Sequence, residues 1–167
     1  MARITLIRHG KAEMPSVRGS DFDRYLNARG QQNAAAMGEF VAAQKLLPDL
    51  VLVSPTVRTR QTYDLASQSW PDDLPVKIVD SLYEASAEAL LLAITEHAGH
   101  MANVLVIGHN PSMLVLLNHM IHREFSEYNT AVFPSCCLAD IGFEAMLIRD
   151  IDPQAGKLMS FKKAREL

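Results

Sequence analysis

Arg8 and His9 close an apolar run, Ile4-Thr5-Leu6-Ile7, and Gly10 follows at once. A continuous stretch of branched apolar residues bounded by a glycine is the pattern of a buried central strand, so the polar pair falls at that strand's C-terminal end. Open α/β sheets bind ligands there, and the glycine lets the chain turn and a ligand approach. The design recurs at Val104-Leu105-Val106-Ile107, which leads into Gly108-His109, with Pro111 suited to the first turn of a following helix. A second arginine, Arg58, falls in the first turn of a helix predicted to run from Ser54-Pro55 to about Ser67. Amides at a helix N-terminus attract anions, and an arginine beside them, otherwise unfavourably placed, reinforces a phosphate site. Arg60 should point away from Arg58, toward solvent or a weaker rim contact.

Brought together, two arginines and two histidines repel one another as cations, which disfavours imidazole protonation and keeps a histidine nucleophilic. A phosphoryl group supplies the missing negative charge. Each arginine can offer it charge-assisted hydrogen bonds worth roughly 1.5–3 kcal/mol apiece.

The elements that must position these residues alternate along the chain. Residues 11–25 carry Pro15, Gly19 and mixed charges without a period, and read as a loop over the end of the first strand. Lys11, Arg18 and Arg24 there either line a pocket rim or face solvent. Asn27 is a good N-cap for a helix whose Gly30, Ala34, Met37, Gly38 and Val41 share one face, small enough to sit close against a sheet. Pro48 marks its stop, and Leu50 to Val53 is a second buried strand. Val76 to Val79 reads as a short strand, Asp80 to Ala85 as a loop, and Ala87 to Ala98 as a helix. The helix expected from Ser112 to His122 is apolar around most of its surface and so deeply packed. Phe125 to Ser135 reads as a loop and "CCLADIGF" as a strand, with residues 145–151 and 158–161 as a terminal hairpin. Strands alternating with helices predict a three-layer αβα sandwich around a mostly parallel sheet, in one domain spanning residues 1–167.

Composition narrows the function. At 167 residues the chain can bury roughly two thirds of the surface its unfolded form exposes. Sixteen Lys and Arg against nineteen Asp and Glu leave a net charge of −3, which argues against a general nucleic-acid binder and makes any attraction for phosphate local. The chain opens directly into a strand with no secretory pattern, and no apolar run reaches the ~18 residues of a membrane span, so a cytoplasmic enzyme is expected. The two cysteines, Cys136 and Cys137, are adjacent and expected on opposite faces of a strand, which excludes a disulfide framework. His119 and His122 are three apart on a helix, but no carboxylate or cysteine cluster accompanies them, so no metal site is assigned. His97 and His100 are read the same way.

Three stretches in order also carry a family resemblance. "LIRHGKA" resembles the opening of the histidine phosphatase superfamily, the phosphoglycerate-mutase-like fold. "SPTVRTRQT" at Ser54 to Thr62 is similar to its SPxxRxxQT segment, and "VLVIGHNPSM" at Val104 to Met113 to its second-histidine strand. "LNARGQQNA" is similar to its LTxxGxxQA helix start, with Asn27 in place of the hydroxyl residue. The short length and the "RHGKA" form are most similar to SixA-type phosphohistidine phosphatases.

The resemblance implies a metal-independent phosphatase needing no cofactor. In it His9 attacks phosphorus to form a phosphohistidine, one ring nitrogen being held by a backbone carbonyl, while Arg8, Arg58 and His109 hold the phosphoryl oxygens. Glu84, in "SLYEAS", stands where many members carry an acidic proton donor; a helix-start carboxylate is the alternative. Two departures matter. Ala12 replaces a hydroxyl or amide residue that many relatives use on phosphate, and the chain has no room for a large helical insertion, which implies an open pocket suited to a phosphorylated protein side chain. Phosphohistidine in proteins is the expected substrate. A small-ester phosphatase and a phosphoprotein-binding module without turnover are the alternatives.

Overall fold

The structure is a computed structural model that describes residues 1–14, 19–121 and 130–167. Its three apolar runs are buried on both faces because they are neighbours at the centre of one sheet. The strands β1 (Ala2–Arg8), β2 (Leu50–Val53), β3 (Val76–Ile78), β4 (Asn103–Gly108), β5 (Leu138–Phe143) and β6 (Lys157–Lys162) lie in the order β3-β2-β4-β1-β5-β6. From β3 to β1 the pairings are parallel, whereas the β1–β5 and β5–β6 pairings are antiparallel. The helices are α1 (Ala28–Ala43), α2 (Val57–Ala66), α3 (Ala87–Ala98) and α4 (Ser112–Met120).

Side chains alternate across the strands, so the sheet feeds two cores. Ile4, Leu6, Leu52 and Val106 pack with Leu90 and Ile94 of α3 and Met113 and Leu117 of α4. Ile7, Val51, Val53 and Leu105 face the other way, against Ala34, Met37 and Val41 of α1 and Ala66 of α2. This is the expected sandwich. Emptying one such position, as in Leu52→Ala, is a change of the kind that costs about 2–5 kcal/mol.

Register sets where the chemistry sits. Arg8 lies opposite Gly108, and Val53 opposite Ile107. The next residues along each strand, His9, His109 and Ser54, therefore emerge at nearly one level from three adjacent strands. The glycine after His9 serves packing as well as turning: a Cβ on Gly10 would lie 2.8 Å from the carbonyl oxygen of Gly30, and one on Gly30 only 2.1 Å from that of Lys11. The first turn of α1 thus presses directly on the segment carrying His9. Gly38 makes a similar approach to Ala66 of α2, so this small-residue face meets a helix as well as the sheet.

Several expected boundaries move. Helix α2 starts at Val57, with Thr56 as its cap accepting from the amide of Thr59, which still leaves Arg58 in the first turn. Helix α4 starts at Ser112 and ends at Met120; His122, and the part of the expected 125–135 loop up to Asn129, lie outside the described residues. The terminal hairpin is not formed as expected. β6 pairs with β5, while residues 148–150 form a short 3₁₀ turn packed near α3. The cysteines precede β5 instead of lying within it. Cys136 adopts a left-handed conformation (φ 56°), and its amide lies 3.0 Å from the carbonyl oxygens of both Arg8 and His9. Both thiols are free and buried, and burial pushes each up to about 12, which keeps them inert. No helix among the described residues is long and apolar enough to cross a membrane.

Candidate active site

Backbone hydrogen bonding fixes His9 before any side chain acts on it. Its amide donates to the Gly108 carbonyl (3.1 Å), which continues the β1–β4 ladder one residue past the strand. Its Nδ1 lies 2.7 Å from the Gly10 carbonyl oxygen. A carbonyl only accepts, so Nδ1 carries the proton and Nε2 keeps its lone pair. Nε–H of Arg58 points at that lone pair from 3.3 Å. The amide of Gly10 donates to Thr62 Oγ1 (3.0 Å), whose hydroxyl donates to the Arg58 carbonyl (2.7 Å), tying the His9 turn to the first turns of α2.

His109 is held in the opposite tautomer. Nη2 of Arg58 lies 3.4 Å from its Nδ1, and Ser54 Oγ lies 2.7 Å from its Nε2. An arginine can only donate, so Nδ1 is the acceptor and Nε2–H donates to Ser54. The two imidazole centroids are 5.3 Å apart. Burial, together with the neighbouring cations, lowers His9 from 6.5 to about 4 and His109 to about 3. Both rings are therefore neutral at pH 7, and each turns a lone pair toward the Arg58 guanidinium.

Arg58 is itself 5% exposed and meets an acid that the sequence reading did not single out. Nη1 donates to the Asp21 carbonyl (2.5 Å) and Nη2 to Asp21 Oδ2 (2.9 Å). That carboxylate also accepts from Tyr83 (3.3 Å) and Arg24 (3.0 Å), and the Arg24 and Arg58 guanidinium groups hold Asp21 below the usual carboxylate range. Asp21, Tyr83 and Glu84 line, with Arg58, His109 and Asn110, a cleft of about 320 Å³. Glu84 is exposed and left-handed, at φ 55°.

Arg8 approaches from the other side. Its Nη1 donates to the Phe133 carbonyl (3.0 Å), and that oxygen also accepts from Asn110 Nδ2 (2.9 Å). Its Nε is buried without a partner, and burial and the charge of Arg58 lower its pKa. Arg58, His9 and His109 thus meet directly, and Arg8 acts on them through its field. Arg60 is exposed. Lys11 lines a separate cavity beside Arg8, Arg24 pairs with Asp21 and the Glu13 carbonyl, and Arg18 lies outside the described residues. His119 is exposed, and His100 lies 2.9 Å from Arg149.

Ser54 and Thr62 stood inside a motif, but only as a strand end and a helix residue. The signal for Ser54 was a hydroxyl next to the last residue of a buried strand. Asp21 gave none, since a carboxylate in an aperiodic loop has no spacing to read.

Residues 4–90 match the profile described as the histidine phosphatase superfamily (branch 1). An uncharacterised protein of Mycobacterium tuberculosis is 32% identical over 110 residues, 66% of each chain, so this chain spans about two thirds of the length of that relative. Phosphoglycerate mutase 1 of Saccharomyces cerevisiae is 35% identical over 68 residues, 40% of this chain and 28% of the mutase. A candidate phosphohistidine phosphatase SixA from Agrobacterium tumefaciens has the same fold, with a TM-score of 0.82 at 27% identity over 97% of both chains.

Proposed function

The chain belongs to the histidine phosphatase superfamily, and from that premise we propose that it removes phosphoryl groups from phosphohistidine in proteins through a covalent intermediate on His9. The observation that carries this reading is the Nδ1 contact to Gly10, which leaves Nε2 of a neutral, buried imidazole unprotonated, its lone pair facing Arg58 until a phosphoryl group takes that arginine's place. The Nε2 lone pair forms a bond to phosphorus as the substrate's phosphorus–nitrogen bond breaks, and the leaving imidazole takes a proton from solvent. Water then attacks the phosphorus on Nε2, releasing inorganic phosphate and restoring His9. Arg58, Arg8 and His109 stabilise the charge on the equatorial oxygens, His109 by taking up a proton on Nδ1 once an anion lies beside it.

No metal or cofactor has a part in this scheme. Glu84 is the proposed proton donor where the leaving group is an alkoxide; its place on the cleft wall beside Arg58 and its left-handed backbone support that role. An imidazole leaving group needs it less. A second reading, hydrolysis of small phosphate esters, has the support of the cleft's size, about 320 Å³, at the low end of small-molecule sites.

The test is turnover of a phosphohistidine protein, an aryl phosphate and an alkyl phosphate in the presence of a chelator, with wild type and His9→Ala. Acid-labile phosphate trapped on wild type but not on His9→Ala supports the mechanism. Equal rates in the two proteins remove His9 from it, and phosphate-dependent thermal stabilisation without turnover points to a binding module.

A further inference from the structure

Beside the phosphoryl site lies a larger cavity, about 510 Å³, whose rim is cationic. Arg8 from the end of β1, Lys11 just after it, Arg29 in the first turn of α1, and Lys163 and Arg165 in the C-terminal turn all line it. Among the described residues no carboxylate lines it and none of these five has an ion-pair partner. The only acid placed in the same turn, Glu166, accepts from the backbone amide of Lys163.

Five unpaired like charges around one hollow repel one another, and Arg29 stands where a helix dipole disfavours a cation. In a chain of net charge −3 such a concentration has to be explained locally. The remaining lining includes Val132, Pro134 and Ala164, and among the described residues it has no aromatic ring on which a base could stack and no acid to accept from sugar hydroxyls. A nucleotide therefore finds little to recognise there, whereas carboxylates need only the cations.

The cavity adjoins the reaction. Arg8 lines it, and the Phe133 carbonyl joins Arg8 to Asn110, which lines the cleft holding Arg58 and His109. A ligand whose phosphoryl group reaches His9 can thus place a neighbouring segment here.

We propose that this cavity is a docking site for an acidic segment of the phosphorylated protein, with Arg29, Lys163 and Arg165 pairing with Asp or Glu side chains next to the phosphohistidine. The proposal takes the phosphoprotein reading as its premise. Arg29 and Arg165 are exposed and Lys163 half-buried, so charge reversal there leaves both cores intact. Rim charges act mainly on encounter and on salt dependence, while Arg8, unchanged in the variants, keeps its hydrogen bond to the Phe133 carbonyl.

The experiment has a binding arm and a turnover arm, each with wild type, an Arg29→Glu/Arg165→Glu variant and a Lys163→Gln variant. In the first, a fluorescent polyglutamate peptide should bind wild type in a salt-sensitive way and His9→Ala equally well. It should bind the double variant roughly tenfold more weakly or worse, with Lys163→Gln intermediate. In the second, kcat/KM for an acidic phosphohistidine protein should fall by a similar factor through KM, with aryl phosphate turnover unchanged. Equal peptide affinity in wild type and both variants overturns the docking site whatever the substrate proves to be. So does binding of tripolyphosphate but not of the peptide, which would make the cavity a phosphate site. Loss of aryl phosphate turnover in the variants would also overturn it, by showing that these cations act through Arg8 instead. Peptide binding that depends on the cations, in a protein inactive on phosphohistidine, would sink the phosphoprotein reading and leave the acidic-segment site standing.

Discussion

Oδ2 of Asp21 lies 2.9 Å from Nη2 of Arg58, so the arginine that faces both imidazoles is also paired with a carboxylate. An anion entering beside His9 meets a guanidinium already partly neutralised, and Asp21 repels it as well. Asp21→Asn should therefore tighten the binding of inorganic phosphate. The carboxylate is about half exposed (48%), so the gain is modest, about twofold to fivefold. Competitive inhibition by phosphate measures it, and an unchanged inhibition constant would show that the pairing does not oppose the ligand.

The histidines set the pH behaviour. Because burial and the surrounding cations hold His9 near 4 and His109 near 3, nuclear magnetic resonance titration of their ring protons should find both midpoints well below the ordinary 6.5 and both rings neutral at pH 6. Saturating phosphate should raise both midpoints, since the anion favours the imidazolium. The same depression governs stability. The unfolded chain takes up these protons below 6.5 while the folded one does not, so stability is constant in this respect above that pH and is lost as pH falls toward 4. Replacing His9 by Gln should flatten part of that acid slope in urea unfolding. An equal slope would place the acid sensitivity elsewhere.

What the sequence made legible was what strands and helices announce by themselves. Buried runs ending in Arg8-His9 and Gly108-His109 gave the central sheet and three of the candidate site residues, because apolar continuity and a polar terminus are local facts. The N-cap of α1 and the first-turn placement of Arg58 were legible for the same reason. Pairing was less accessible. β6 and residues 145–151 are equally near in sequence to a turn, and only the open edge of β5 decides which forms the ladder. Asp21 was least accessible, because its partner Arg58 lies 37 positions away and no period joins a loop to a helix.

Gly30→Ala tests whether packing, rather than ligand approach, demands the small residue under His9. A methyl group there would sit 2.1 Å from the Lys11 carbonyl oxygen, a backbone atom that cannot swing aside. The variant should lose about 1–3 kcal/mol in denaturant unfolding, with kcat reduced as the His9 turn shifts. Loss of stability below that range would mean that α1 slides to relieve the contact.

Ser54→Ala isolates the hydrogen bond that fixes His109. The serine is fully buried, and its loss leaves Nε2–H without an acceptor inside the protein. That costs about 1–3 kcal/mol of stability, unless the ring exchanges tautomers, giving up the Arg58 contact at Nδ1 and turning Nδ1–H toward the cleft. In the second case a donor would face the phosphoryl oxygens without a prior proton uptake, so inorganic phosphate should bind as tightly as to wild type or tighter. Nitrogen-15 shifts of the His109 ring distinguish the two outcomes: wild type should show protonated Nε2 and bare Nδ1, and the variant the reverse if the ring exchanges. A wild-type ring already protonated at Nδ1 would contradict the tautomer read from Arg58 and Ser54.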